Sequence, residues 1–111
     1  KIGSFFSTNN IPIDLVLSSD WCRCKDTAKF AFKNFKTFNA LNSFFSPRFQ
    51  KNKEKQMLDL YKYIDNWTGK KNLILVTHYV VILETLDKAV SSGEIVISDK
   101  NLNFIGRIID Y

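Results

Sequence analysis

The sequence predicts an α/β fold built on a largely parallel sheet, and three observations carry that expectation. Asn72-Leu73-Ile74-Leu75-Val76-Thr77 is apolar on both faces, as central parallel strands are. Ile13-Asp14-Leu15-Val16-Leu17-Ser18 is a second short run, β-branched and aliphatic, that reads as a buried strand. Between and around these runs lie amphipathic helical stripes, and such alternation is how parallel strands are joined.

The elements follow in order. Lys1–Asn9 reads as the tail of a helix, closed by Asn9-Asn10 and Pro12. The strand at 13–18 comes next, and Asp20 stands where an N-cap belongs. After it Trp21, Cys24, Ala28, Ala31, Phe32 and Phe35 fall on one helical stripe. Asn39–Gln50 has no clean period and contains Pro47, so it reads as a loop. From about Lys51, the residues Met57, Leu60, Tyr61, Ile64 and Trp67 mark a second amphipathic helix, ended by Gly69. The strand at 72–77 leads into a third helix, Tyr79 to Ala89, stopped by Ser91-Ser92-Gly93. Glu94–Ser98 and Leu102–Tyr111 read as a closing pair of strands joined by Asp99-Lys100-Asn101.

At 111 residues the chain has the length of one domain, 1–111, and can bury roughly two thirds of its unfolded surface. Ten Phe and 45% hydrophobic residues exclude a disordered chain. No apolar run approaches the roughly 20 residues that span a bilayer, so no membrane partner is expected. The start, Lys1-Ile2-Gly3-Ser4-Phe5-Phe6, is no secretory signal, and residue 1 is not Met. The net charge of +5 comes from residues 21–71, where Lys51, Lys53, Lys55 and Lys62 alternate with Glu54, Asp59 and Asp65. A solvated helix face reads that way; a nucleic-acid binder concentrates its cations on one stripe, so no nucleic acid is expected.

In parallel α/β sheets ligands bind beyond the carboxyl ends of the strands, where helix N-termini point. Two such junctions occur here, Ser18-Ser19-Asp20-Trp21-Cys22-Arg23 and Val76-Thr77-His78-Tyr79. Each places a cationic or protonatable side chain, Arg23 or His78, at the start of a helix. The helix dipole disfavours a cation there by about 0.3–1 kcal/mol, unless an anion shares the helix end. Arg23 lies roughly 130° from the middle of its helix's core stripe at about 100° per residue, so it is not a core cation. Thr27, four residues on, shares its side, and the two together suit a phosphate. Taken singly, a first-turn Arg is an ordinary surface residue and a strand-end His an ordinary hydrogen-bonder.

Ser19-Asp20-Trp21-Cys22-Arg23-Cys24-Lys25-Asp26-Thr27-Ala28 resembles the S-x-x-x-R-x-x-x-T-A segment of the histidine phosphatase superfamily, the phosphoglycerate mutase-like enzymes. Leu73-Ile74-Leu75-Val76-Thr77-His78 is similar to that family's second histidine segment. Trp21-Cys22-Arg23-Cys24, Leu41-Asn42-Ser43-Phe44-Phe45 and Ser92-Gly93-Glu94-Ile95-Val96 resemble one small bacterial subgroup. The resemblance implies a three-layer sandwich, a mostly parallel sheet flanked by helices. It also implies phosphomonoester hydrolysis through a phosphohistidine, with Arg23 and His78 as the catalytic, phosphate-binding pair. No cofactor and no metal are implied.

The chain departs from the family pattern in one decisive respect. The R-H-G segment that carries the family's nucleophilic histidine is absent, and His78 is the only histidine. The resemblance therefore implies an N-terminally truncated domain whose first, central strand is missing along with the nucleophile. The two best strands are then expected to lack their usual partner and to offer an exposed edge to a second copy. The family's proton donor has no clear counterpart either. Leu41-Asn42-Ser43 carries Ser43 where many members have an acid, Tyr79 follows the histidine, and Glu94 and Glu54 remain candidates only as acids.

Other chemistries fail on spacing. Cys22 and Cys24, two apart on a helix, make a strained disulfide, and with one His they make a poor zinc site. A cysteine phosphatase loop needs Arg six residues after its Cys, where this chain has Ala28 and Phe30. Thr68-Gly69-Lys70-Lys71 lacks the earlier Gly of a nucleotide loop, that position being Ile64. Free thiols favour a reducing compartment, hence the cytoplasm, or the periplasm if an upstream signal has been removed. The expected partner is a phosphorylated small molecule or a phosphoprotein. The alternative reading is a non-catalytic phosphate-binding or interaction module.

Overall fold

In the computed structural model, which describes residues 2–109, the order of elements is α1 (Ile2–Thr8), β1 (Ile13–Ser18), α2 (Cys22–Phe32), β2 (Lys36–Thr37), two 3-10 helices (Asn39–Leu41 and Pro47–Asn52), α3 (Lys53–Asp65), β3 (Asn72–Val76), α4 (Tyr79–Leu86), β4 (Ile95–Ser98) and β5 (Phe104–Ile108). The predicted alternation is present, with a two-residue strand and two 3-10 helices added between α2 and α3. Three strands form a wholly parallel sheet in the order β2-β1-β3, and β4 and β5 form a separate antiparallel pair.

β1 and β3 are aligned from Leu15 opposite Leu73 to Ser18 opposite Val76, and the Ser19 N–H extends the ladder to the Val76 carbonyl at 3.0 Å. The two strands expected to lack their usual partner lie directly beside each other, and among the described residues β3 has no strand on its other side. The predicted central position of 72–77 is corrected. Among the described residues β3 has one neighbouring strand, and Leu73 to Val76 stay half-buried rather than covered on both faces. An edge strand offers less of its surface to neighbours than a central one does.

Alternation along the strands separates two sets of contacts. Leu15, Leu17, Leu73 and Leu75 join the main core with Met57, Leu60 and Ile64 of α3, Val81 of α4, and Ala40, Leu41 and Phe44 of the 39–45 segment. α2 packs against β1 and β3, burying Cys24 and Ala28. α1 in turn packs on α2 with Phe6 edge-on to Phe32. A Cβ on Gly3 would stand 2.5 Å from the Ala31 carbonyl oxygen, so that close approach needs glycine.

Several boundaries differ from the sequence reading for local reasons. Trp21, not Asp20, is the N-cap residue of α2, and it makes no side-chain cap. The Asp20 carboxylate instead accepts a hydrogen bond from Asn42 Nδ2 at 3.1 Å. α2 stops at Phe32, where Lys33 turns to φ 68°, so Phe35 lies outside the helix. Met57, Leu60 and Ile64 form the buried stripe of α3 as read, whereas Tyr61 is exposed and Trp67 lies beyond the helix end. α4 ends at Leu86 because Asp87 adopts the left-handed conformation, short of Ala89. The segment read as a loop, 39–50, carries Ala40 and Leu41, both fully buried.

The predicted hairpin forms, but its strands are shorter than read, Ile95–Ser98 and Phe104–Ile108 in place of 94–98 and 102–111, of which 110 and 111 lie outside the described residues. Asp99 builds the turn: its Oδ1 accepts the N–H groups of Asn101 and Asn103, both at 2.9 Å. Those Asn103 bonds hold the Asp99 carboxyl below its ordinary value. Within the hairpin base, Arg107 Nη1 lies 3.0 Å from Glu94 Oε2, an ion pair without hydrogen-bond alignment. Among the described residues no helix is long and apolar enough to cross a membrane.

Candidate functional site

β1 and β3 are parallel neighbours, so their carboxyl ends deliver two chain segments side by side. Past β1 come Ser19, Asp20 and the start of α2; past β3 come Thr77, His78 and the start of α4. Arg23 and His78, the two residues singled out from sequence, are brought together: Arg23 Nη2 lies 3.3 Å from His78 Nδ1. They are 55 positions apart, and only the parallel pairing of the strands joins them.

Their settings are unequal. His78 is the N-cap residue of α4 and only 6% exposed, while Arg23 is exposed in the first turn of α2. The Trp21 ring serves both. It meets the His78 ring edge-on with centroids 4.8 Å apart, and the Arg23 guanidinium lies 5.4 Å from its centroid. Burial, and then the Arg23 charge, push the His78 pKa down to about 4. The imidazole is therefore neutral near pH 7.

The other ring nitrogen is held from beneath. His78 Nε2 is 2.8 Å from Ser19 Oγ and 3.5 Å from Cys24 Sγ, and Ser19 is fully buried. Ser19 Oγ also accepts the Trp21 N–H at 3.1 Å and donates to Asn42 Oδ1 at 2.9 Å. Burial pushes the Cys24 thiol pKa up, and the protonated thiol reaches the Thr77 carbonyl at 3.6 Å. Cys24 thus belongs to the core stripe as read from sequence, and both cysteines are free.

One sequence expectation is corrected here. The Thr27 hydroxyl is not a free second donor for a ligand, because its hydrogen goes to the Arg23 carbonyl at 2.9 Å. A helical threonine four residues on reaches back to that carbonyl in preference to solvent. The proton-donor candidates do not come to the site either. Glu94 is engaged by Arg107 and the Ser91 N–H, Glu54 is an exposed first-turn residue of α3, and the Ser43 hydroxyl accepts the Phe45 N–H. Among the described residues no carboxylate contacts Arg23 or His78 by hydrogen bond or ion pair, and no group of three His, Cys, Asp or Glu could hold a metal ion.

Sequence reasoning missed Asn42, Trp21 and the role of Ser19. Ser19, Trp21 and Asn42 all lay within quoted motifs, but the attention there fell on Arg23 and Ser43, and the segment around Asn42 has no periodicity to show where it points. Chemically, the arrangement offers a guanidinium fork beside an imidazole whose Nδ1 becomes a donor when protonated, at two adjacent helix N-termini. Such a place is suited to an anion with several oxygens. Compared with protein-family models, curated proteins and solved structures, the chain matches none.

Proposed function

We propose that the Arg23–His78 pair is the phosphate-binding half of a histidine phosphatase-like site. On this reading the protein hydrolyses phosphomonoesters through a phosphohistidine whose nucleophilic histidine lies outside this chain. The single supporting observation is the 3.3 Å approach of Arg23 Nη2 to His78 Nδ1 across the ends of two parallel strands. The family resemblance of the two segments leads to the same pair. The finer architecture, a phosphoglycerate mutase-like three-layer sandwich, belongs to the same proposal.

The roles follow from charge. Phosphoryl transfer is mostly positioning and stabilisation of the equatorial oxygens by fixed donors. Arg23 supplies two parallel N–H groups for two of those oxygens, and Trp21 holds the guanidinium plane in place. His78 meets a third oxygen through Nδ1, which becomes a donor on taking up a proton. In the chemical step an imidazole nitrogen forms the N–P bond as the ester P–O bond breaks, and the departing oxygen takes a proton. Water then breaks the N–P bond and releases phosphate.

A second reading is a phosphate-binding or interaction module without turnover, and it is favoured by one fact: His78 is the only histidine. Its partners are the same, a phosphorylated small molecule or a phosphoprotein, with a second copy of the chain pairing along the open edge of β3. Calorimetric titration with inorganic phosphate tests what both readings share. Binding is expected, and Arg23→Ala weakens it roughly 10- to 100-fold, the value of one charge-assisted contact. Equal binding by wild type and Arg23→Ala would remove Arg23 from the site. Turnover of p-nitrophenyl phosphate by the 111-residue chain alone would overturn both the external nucleophile and the inert module.

A further inference from the structure

The neutral imidazole of His78 has two tautomers, and the surrounding bonds admit only one. Arg23 Nη2 can only donate, so His78 Nδ1, 3.3 Å away, presents its lone pair. The ring hydrogen must then sit on Nε2, facing Ser19 Oγ at 2.8 Å. A hydroxyl accepts there only if its own hydrogen is committed elsewhere.

Asn42 makes that commitment. Its Oδ1 accepts the Asp20 N–H at 2.8 Å; a backbone N–H can only donate, so the atom it meets is the amide oxygen. The amide nitrogen then faces the Asp20 carboxylate at 3.1 Å. With this orientation Oδ1 also takes the Ser19 hydroxyl hydrogen at 2.9 Å, leaving Ser19 Oγ an acceptor towards Trp21 N–H and His78 Nε2. The segment bearing Asn42 is clamped: the Thr77 hydroxyl donates to the Leu41 carbonyl at 2.6 Å, Gln56 Nε2 donates to the Asn42 carbonyl at 2.8 Å, and Ala40 and Leu41 are fully buried.

We propose that Asn42 is a positioning residue for the Arg23–His78 site, fixing through Ser19 the tautomer in which Nε2 carries the hydrogen and Nδ1 is left bare towards Arg23. The groups facing His78 are Ser19 and Trp21 from the junction after β1, and Arg23 and Cys24 from α2; only Arg23 is charged. The consequence rests on the anion-site reading given above. A proton added to His78 has only Nδ1 to go to, directly against the guanidinium. It is tolerated there when an oxyanion lies between them, so the anion and the proton arrive together.

The chain's single histidine makes this testable by nitrogen-15 NMR on the 111-residue protein labelled at histidine, at pH 7 without added anion. Wild type is expected to show a protonated Nε2 and a bare Nδ1. Arg23→Ala removes one of the two selectors, and the Ser19–Asn42 relay is expected to keep the same tautomer alone, by roughly tenfold for one buried hydrogen bond. Adding Asn42→Ala to Arg23→Ala is expected to bring the two tautomers close to equal, while adding Asn42→Asp, which keeps an acceptor oxygen, preserves the preference. Ser19→Ala in the Arg23→Ala background breaks the same relay one step nearer the ring and serves if the Asn42→Ala protein does not fold. A bare Nε2 in wild type, or an even mixture in Arg23→Ala alone, overturns the proposal without needing either double variant. So does an unchanged tautomer in a folded Asn42→Ala double variant. Sulfate, a dianion throughout this pH range, is then titrated into wild type. A rise in the His78 titration midpoint is the expected result; no binding alongside the expected tautomer overturns the anion reading and its coupled proton while leaving the relay in place.

Discussion

His78 carries most of the residue-scale physics, because burial and Arg23 act on it in the same direction. Its folded pKa of about 4 lies below the ordinary 6.5, with burial the larger cause and the Arg23 charge the smaller. The unfolded chain therefore binds more protons than the folded one between those values. Stability contributed by the neutral ring is present above about pH 6.5 and is lost as pH falls towards 4. A proton NMR titration of the one imidazole should give a midpoint near 4 in wild type. In Arg23→Ala the midpoint should rise yet stay below 6.5, since burial remains. A wild-type midpoint at 6.5 or above would contradict the buried, cation-facing placement.

At the scale of elements, two backbone positions call for opposite substitutions. α1 lies so close to α2 that a Cβ on Gly3 meets the Ala31 carbonyl oxygen at 2.5 Å, and a backbone atom cannot swing away. Lys33 ends α2 at φ 68°, a conformation that glycine adopts freely and lysine does not. Gly3→Ala is expected to destabilise by about 1–3 kcal/mol through overpacking. Lys33→Gly is expected to stabilise by up to about 1 kcal/mol. Thermal unfolding of the two variants beside wild type checks both signs. The same scale shows what was legible: β1, β3 and α3 have apolar runs or stripes long enough to declare their period. The 3-10 helix at Asn39–Leu41 was not legible, because one turn cannot display a period.

For the whole molecule, the radius of gyration is 13.4 Å, near that expected for about 100 folded residues. Much apolar surface nevertheless remains outside. Among the described residues β3 has a strand on one side only, and Phe30, Phe45 and Leu58 are 83%, 71% and 67% exposed. None of the residues of β4 and β5 is fully buried. An open parallel edge and exposed large side chains favour association with a second copy. Sedimentation velocity across a concentration series should show the weight-average coefficient rising with concentration. A monomer at every concentration would contradict this.

The sequence by itself determined the alternation of helices and strands and marked Arg23 and His78 as the residues worth watching. Those follow from local periodicity and from charge at helix starts, both of which are properties of short segments. The tertiary structure alone decided that β1 and β3 pair directly, which closes 55 positions to 3.3 Å. It also spent the Thr27 hydroxyl on the Arg23 carbonyl and brought Asn42 against Ser19. Hydrogen-bond direction between segments distant in sequence depends on where the chain places each donor and acceptor, and no local pattern encodes that.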